Sequence, residues 1–147
     1  MYINRDIQIR RLLNITPDTV DAFAQLIPQL TTGGMLPTIE HLKNMVESNA
    51  CFLFVAEEDE QIIGSITLAT YRIPSGTKAW IEDVVVDGSQ RGRGIGAMLV
   101  EFVIDFAKKQ NIHSLDLTSG PSRVAANKLY QKLGFKRRET NVYRLAQ

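Results

Sequence analysis

Residues 7–13 alternate apolar and polar positions and predict a first strand. Thr16-Pro17 then reads as an N-cap followed by proline at the first helical position. Val20, Phe23, Ala24, Ile27 and Leu30 recur at helical spacing, and Pro28 is expected to end or distort that helix. Gly33-Gly34 breaks the chain. A second short helix is expected over residues 38–48, with Ile39, Leu42, Met45 and Val46 on one face.

The middle of the chain reads as a sheet. Residues 51–57 form one strand, Glu58-Asp59-Glu60 a turn, and residues 61–71 the return strand. After a loop at 73–77, residues 78–87 form a third long strand whose Val84-Val85-Val86 run suits burial on both faces. The period then changes. Ile95, Leu99, Phe102, Val103 and Phe106 mark an amphipathic helix ending near Asn111. Residues 113–118 are expected as a strand, 123–133 as a helix with Gly134 as its C′ residue, and 135–145 as a last strand. This order predicts one α+β domain, residues 1–147, built around a mixed sheet.

Composition narrows the picture. With 147 residues, 44% hydrophobic and 22% charged, the chain is long enough to bury a core without disulfides. Its single cysteine, Cys51, excludes an intrachain disulfide framework and a Cys-rich metal site, and its apolar surroundings suggest a buried strand thiol. Seventeen Lys and Arg against sixteen Asp and Glu give a net charge of +1, which argues against a nucleic-acid partner. No apolar run is long enough for a membrane span, and residues 1–6 lack a signal-peptide core, so a cytoplasmic protein is expected. His41 and His113 fall outside every motif, and no spacing of histidines and carboxylates suggests a metal.

The strongest local signal is Gln90-Arg91-Gly92-Arg93-Gly94-Ile95-Gly96-Ala97, placed after the valine-rich strand and opening a helix. Glycine permits tight turns and close approach to backbone N–H groups. A helix start offers unpaired N–H donors and a dipole that favours an anion. With Arg91 and Arg93 added, the segment suits a phosphate or pyrophosphate; the alternative is a glycine-rich turn with two solvated arginines. The string satisfies a dinucleotide fingerprint, but five residues intervene between Val86 and Gly92, and too little chain follows for the array of parallel units that fold needs. No Gly-Lys-Ser/Thr follows, so a mononucleotide P-loop is also excluded.

The segment Ile81-Glu82-Asp83-Val84-Val85-Val86-Asp87, together with the glycine loop, resembles the central motif of the GCN5-related N-acetyltransferases. Ala125-Ala126-Asn127-Lys128-Leu129-Tyr130-Gln131-Lys132-Leu133-Gly134-Phe135 resembles that family's later helix and its exit into a strand. The resemblance implies the acyl-CoA N-acyltransferase fold, a central mixed twisted sheet flanked by helices. It implies acetyl-CoA as co-substrate, its pyrophosphate held by the amides of Arg91, Gly92, Arg93, Gly94, Ile95, Gly96 and Ala97. It also implies that the strand splays from its neighbour. The backbone of the Val84-Val85-Val86 run, at Val84 and Val86, then receives the pantetheine arm and the acetyl carbonyl. By the same resemblance Asn127 hydrogen-bonds the cofactor arm and Tyr130 sits near its sulfur.

The chemistry asks for three things. An amine with a pKa near ~10.4 must lose a proton before it attacks a thioester, and a carboxylate in direct or one-water reach can take it. The leaving thiolate needs a donor, for which a phenol is suited at neutral pH. Charge developing on the carbonyl oxygen needs amide donors. Glu82 is the base candidate: two residues before Val84 on one strand, it is expected on the same face, with its rival Asp83 pointing the other way. A structural or substrate-binding role and a plain solvated carboxylate stay open for Glu82. For Tyr130 the alternative to general acid is a ring packed beside Leu129 and Leu133.

The acceptor is read less well. The expected function is direct transfer of acetyl to a primary amine of a small molecule or protein. The alternative is a non-catalytic acyl-CoA-binding regulatory module on the same fold. Residues 30–37 are a candidate border of the acceptor groove. The acidic run of residues 57–60 and the basic cluster Lys132, Lys136, Arg137 and Arg138 read first as solvated surface; the alternatives are attraction of a polyamine or basic peptide for the first and of the cofactor's phosphates for the second. The resemblance further implies a homodimer paired through residues 135–145.

Overall fold

The computed structural model describes residues 6–147; the polar start on which the signal-peptide reading rests lies outside them through residue 5. The chain falls into two compact units divided between Leu117 and Thr118.

In the first unit, four strands pair antiparallel in the order of the chain: β1 (Gln8–Arg11), β2 (Cys51–Glu58), β3 (Gln61–Ile73) and β4 (Gly76–Val86). On the outer edge of β4, Asp116 adds a single parallel bridge to Trp80, which makes the sheet mixed. The predicted strand at 113–118 is therefore reduced to this one bridge. Asp116 N–H donates to the Ala79 carbonyl at 3.0 Å and Ile81 N–H to the Asp116 carbonyl at 2.9 Å.

Helix α1 (Pro17–Leu30) starts where expected. Thr16 and Thr19 form a reciprocal capping box, each side-chain oxygen accepting from the other's N–H. Pro28 does not end the helix. Lacking an N–H, it removes one bond from the last turn, but Thr31 N–H still donates to the Ile27 carbonyl at 3.1 Å. Helix α2 (Ile39–Glu47) is capped by the Thr38 hydroxyl, which accepts from His41 N–H.

The two faces of the sheet have separate cores. Leu53 and Val55 of β2 pack with Leu12, Ile15, Phe23 and Leu42 under α1 and α2. The opposite face packs on α3 (Ile95–Lys109), where Phe54 meets Phe102 and Phe106 edge-on at 5.3 and 5.0 Å between ring centroids. Phe54 is fully buried, so truncating it to alanine should cost about 3–5 kcal/mol. Cys51 is half-buried at the start of β2, short of the full burial expected.

Two departures from regular pairing shape the site. The β2–β3 turn is made by Asp59 and Glu60, both left-handed (φ 50° and 63°), which matches the twist of a two-residue hairpin. In β4, Asp83 is also left-handed (φ 49°). Thr67 pairs with Glu82 and Ser65 with Val85, so Asp83 and Val84 together oppose Ile66 in a β-bulge.

The second unit holds α4 (Val124–Lys132), close to its predicted bounds, with Gly134 left-handed (φ 102°) just past its end. The predicted last strand at 135–145 is not formed among the described residues. A strand needs an edge to pair its N–H and C=O groups, and Val142, Tyr143 and Leu145 stand exposed instead.

Candidate functional site

The chain leaves β4 at Val86 and makes one turn of 3-10 helix, Gly88–Gln90, in which the Asp87 carboxylate accepts from Ser89 N–H at 3.1 Å. Gln29 of α1 reaches over this turn and accepts from Gly88 N–H at 2.7 Å. The backbone then passes through two left-handed glycines, Gly92 (φ 80°) and Gly94 (φ 76°), and α3 begins at Ile95. No heavy atom lies within 4 Å of where a Cβ would stand on either glycine, so the space before the loop is open.

This loop fits a bound anion. Gly94 caps α3 without a side-chain hydrogen bond, and the first helical bond runs from Met98 N–H to the Gly94 carbonyl at 3.0 Å. The amides of Ile95, Gly96 and Ala97 precede it, at the positive end of a helix of 15 residues. Arg91 is exposed beside them. The donor set and the open approach suit a phosphate or pyrophosphate group.

The two arginines differ. Arg93 Nη1 and Nη2 donate to the two carboxylate oxygens of Glu58 at 3.1 and 2.5 Å, and Nη1 also donates to Gln90 Oε1 at 2.5 Å. This pairing holds the Glu58 carboxyl below its ordinary pKa, chiefly through the hydrogen bond from Arg93. The Arg93 side chain thus ties the loop to the β2–β3 turn. The acidic run at 57–60 is not plain solvated surface: Glu57 pairs with Arg10 at 2.7 Å and Glu58 with Arg93. Neither partner was legible in sequence, since the pairs join residues 47 and 35 positions apart.

The bulge corrects the expected facing of Glu82. Residues paired across neighbouring strands share a face. Glu82 therefore shares its face with Thr67, Ser65 and Val85, and Val84 lies within the bulge opposite Ile66. Val85 is buried, while Val84 and Val86 are half-buried, so the valine run is not sealed on both faces. Glu82 is exposed, yet its pKa is raised, first by partial desolvation and then by the negative charge of Asp83. On the outer edge of β4 the described backbone ladder stops at Ile81, leaving the Val84–Val86 end of the strand without a described partner there. Sequence reasoning missed the bulge. Its available signal was the Glu82-Asp83 pair inside an apolar strand, since aspartate tolerates the left-handed region better than a β-branched residue.

Gly64 shows why β3 and the end of β4 approach closely. A Cβ there would stand 3.1 Å from the Val85 carbonyl oxygen and 3.3 Å from Leu99.

In the second unit, Asn127 donates through Nδ2 to the Gly120 carbonyl at 3.0 Å, which pins the segment before α4. Tyr130 is buried, and its ring lies edge-on to Phe135 at 6.0 Å. Burial raises the phenol pKa, partly offset by the charge of Arg123.

The model of the acetyltransferase (GNAT) family matches residues 21–135. Human N-acetyltransferase 8B is 32% identical over 93 residues, 62% of this chain and 40% of its own length. The Bacillus subtilis N-acetyltransferase YhdJ is 30% identical over 99 residues, 66% of this chain and 70% of its own. The chain thus spans about two-fifths of the length of N-acetyltransferase 8B. An aminoglycoside acetyltransferase from an uncultured soil metagenomic sample, solved with trehalose, superposes with a TM-score of 0.81 at 22% identity, covering 99% of both chains. A Trypanosoma brucei acetyltransferase superposes with a TM-score of 0.77 at 25% identity, covering 97% of this chain and 100% of its own.

Proposed function

Because the chain belongs to the acetyltransferase (GNAT) family, we propose that it is an N-acetyltransferase that moves an acetyl group from acetyl-CoA directly to a primary amine. The observation that carries this reading is the glycine loop, with three leading amides of α3 and an open approach. Acetyl-CoA, when bound, supplies an activated acyl group on a thiol leaving group. The chain's residues do the rest. The amides of Arg91 through Ala97 hold the pyrophosphate, with Arg91 adding charge. The backbone at Val84 and Val86 positions the pantetheine arm and acetyl carbonyl, and Asn127 supports that arm.

Glu82 takes a proton from the acceptor ammonium, directly or through one water. Its pKa is raised, chiefly by partial desolvation and then by Asp83, which makes the carboxylate a stronger base. The amine nitrogen bonds to the acetyl carbon, the carbon–sulfur bond breaks, Tyr130 gives its proton to the departing thiolate, and the second proton that the nitrogen sheds on becoming an amide restores the phenol through solvent. The raised pKa of Tyr130 keeps that proton in place at neutral pH. The products are the N-acetyl amine and CoA, and no acyl-enzyme is needed, so Cys51 has no part in the step.

Calorimetric titration with acetyl-CoA, followed by an amine panel read by CoA release, tests the proposal. Micromolar binding, weakened by charge reversal at Arg91, and turnover with an amine support it. Binding without turnover of any amine would favour a non-catalytic acyl-CoA-binding module. No binding by folded protein would sink both readings.

A further inference from the structure

An aromatic pair that the proposed mechanism leaves unused lies on the same face as Glu82. Trp80 pairs with Ala69 and Glu82 with Thr67, ahead of the bulge, so the two side chains stand on one face two residues apart. Thr67 in turn pairs with Leu53, which places this face on the α1 and α2 side of the sheet. Tyr71, two residues beyond Ala69, shares it. The Trp80 indole N–H donates to Tyr71 Oη at 3.2 Å, which fixes the indole across the two strands. Trp80 is only half-buried and Tyr71 is 49% exposed, so this pair is not core. On the other side of Trp80, the parallel bridge sets Asp116 beside it on the same face. Along the strand, Glu82 is the next residue on this face.

We propose that Trp80, with Tyr71, forms an acceptor subsite for the second ammonium of a short alkyl diamine whose other amine reacts at Glu82. The proposal rests on the acetyltransferase reading and names its substrate class. An indole face attracts a cation more strongly than the other aromatic rings do. Two residues along a strand advance about 6.6 Å, close to the separation of the nitrogens in an extended four-carbon diamine. Lys78 pairs with Tyr71 and occupies the next place along this face.

The test compares kcat/KM for putrescine, n-butylamine and phenethylamine in the parent protein and in Trp80→Leu and Trp80→Phe. Putrescine and n-butylamine have the same chain length and are both protonated at neutral pH, so their ratio isolates the second charge. The expected preference for putrescine is at least about tenfold. It falls toward unity in Trp80→Leu and partway in Trp80→Phe, which keeps a ring and guards against loss of fold in the leucine variant. Acetyl-CoA affinity, measured in each variant, reports whether the protein is folded. A ratio near one in the parent, a preference for phenethylamine, or a ratio untouched by both substitutions would overturn the subsite while leaving the transferase reading intact. Acetyl-CoA binding with no turnover of any amine would overturn the transferase reading itself, and the subsite with it.

Discussion

Glu82 shares its face of β4 with Val85, three residues on, because Asp83 and Val84 together oppose the single residue Ile66. The bulge puts a second carboxylate, Asp83, next to Glu82 on a backbone turned into the left-handed region. It re-aims the strand just before the valines that the proposed mechanism uses, and it sets the electrostatics of the proposed base.

Replacing Asp83 with asparagine removes the negative charge that helps hold the Glu82 pKa up. Ionisation of Glu82 then becomes easier and its pKa falls. The acid limb of the kcat/KM profile is expected to move to lower pH, while Glu82→Gln should abolish that limb along with most of the activity. An unmoved limb in Asp83→Asn would remove Glu82 from the role of base.

Tyr130→Phe keeps the ring contact with Phe135 and removes only the proton. The expected result is a loss of about a hundredfold in kcat with little change in acetyl-CoA affinity. The parent should lose activity as pH rises through the raised phenol pKa, and the variant should lack that alkaline limb. Equal kcat across pH would leave Tyr130 a packing residue.

Gly94→Ala tests the loop. Space for a Cβ is open, so the cost is conformational: φ of 76° strains an L-residue by about 1–2 kcal/mol. The methyl group also stands in the approach proposed for the pyrophosphate. Thermal melts should show the modest destabilisation, and calorimetry should show a much larger loss of acetyl-CoA binding.

Glu58→Gln tests the tie between hairpin and loop. The folded pKa of Glu58 is lowered, so its pairing with Arg93 stabilises the protein above the ordinary carboxylate pKa. That contribution is lost as pH falls through the lowered value. The melting temperature of the variant should therefore lie below the parent's at neutral pH and converge with it in strong acid. A constant difference across pH would mean that the carboxylate charge is not the cause.

Local chemistry was legible in the residues themselves. The Thr16-Pro17 start of α1, the glycine loop and the periodicity of α3 all rest on contacts a few positions apart, which sequence spacing encodes directly. Family membership was legible for the same reason, since the glycine loop and the α4 segment are contiguous strings. Other features depended on partners far along the chain. The bulge at Asp83 exists only in register against β3, and the ion pair of Arg93 needs a hairpin 35 residues earlier. The strand at 113–118 shrank to one bridge, and no strand formed at 135–145, because alternation supplies a face but not an edge to pair with. The sequence by itself determined the helices, the loop that suits an anion and the family. Only the tertiary structure decided which way Glu82 faces, what holds Arg93 and which aromatic pair stands beside the proposed base, because register and long-range pairing are properties of strands brought together.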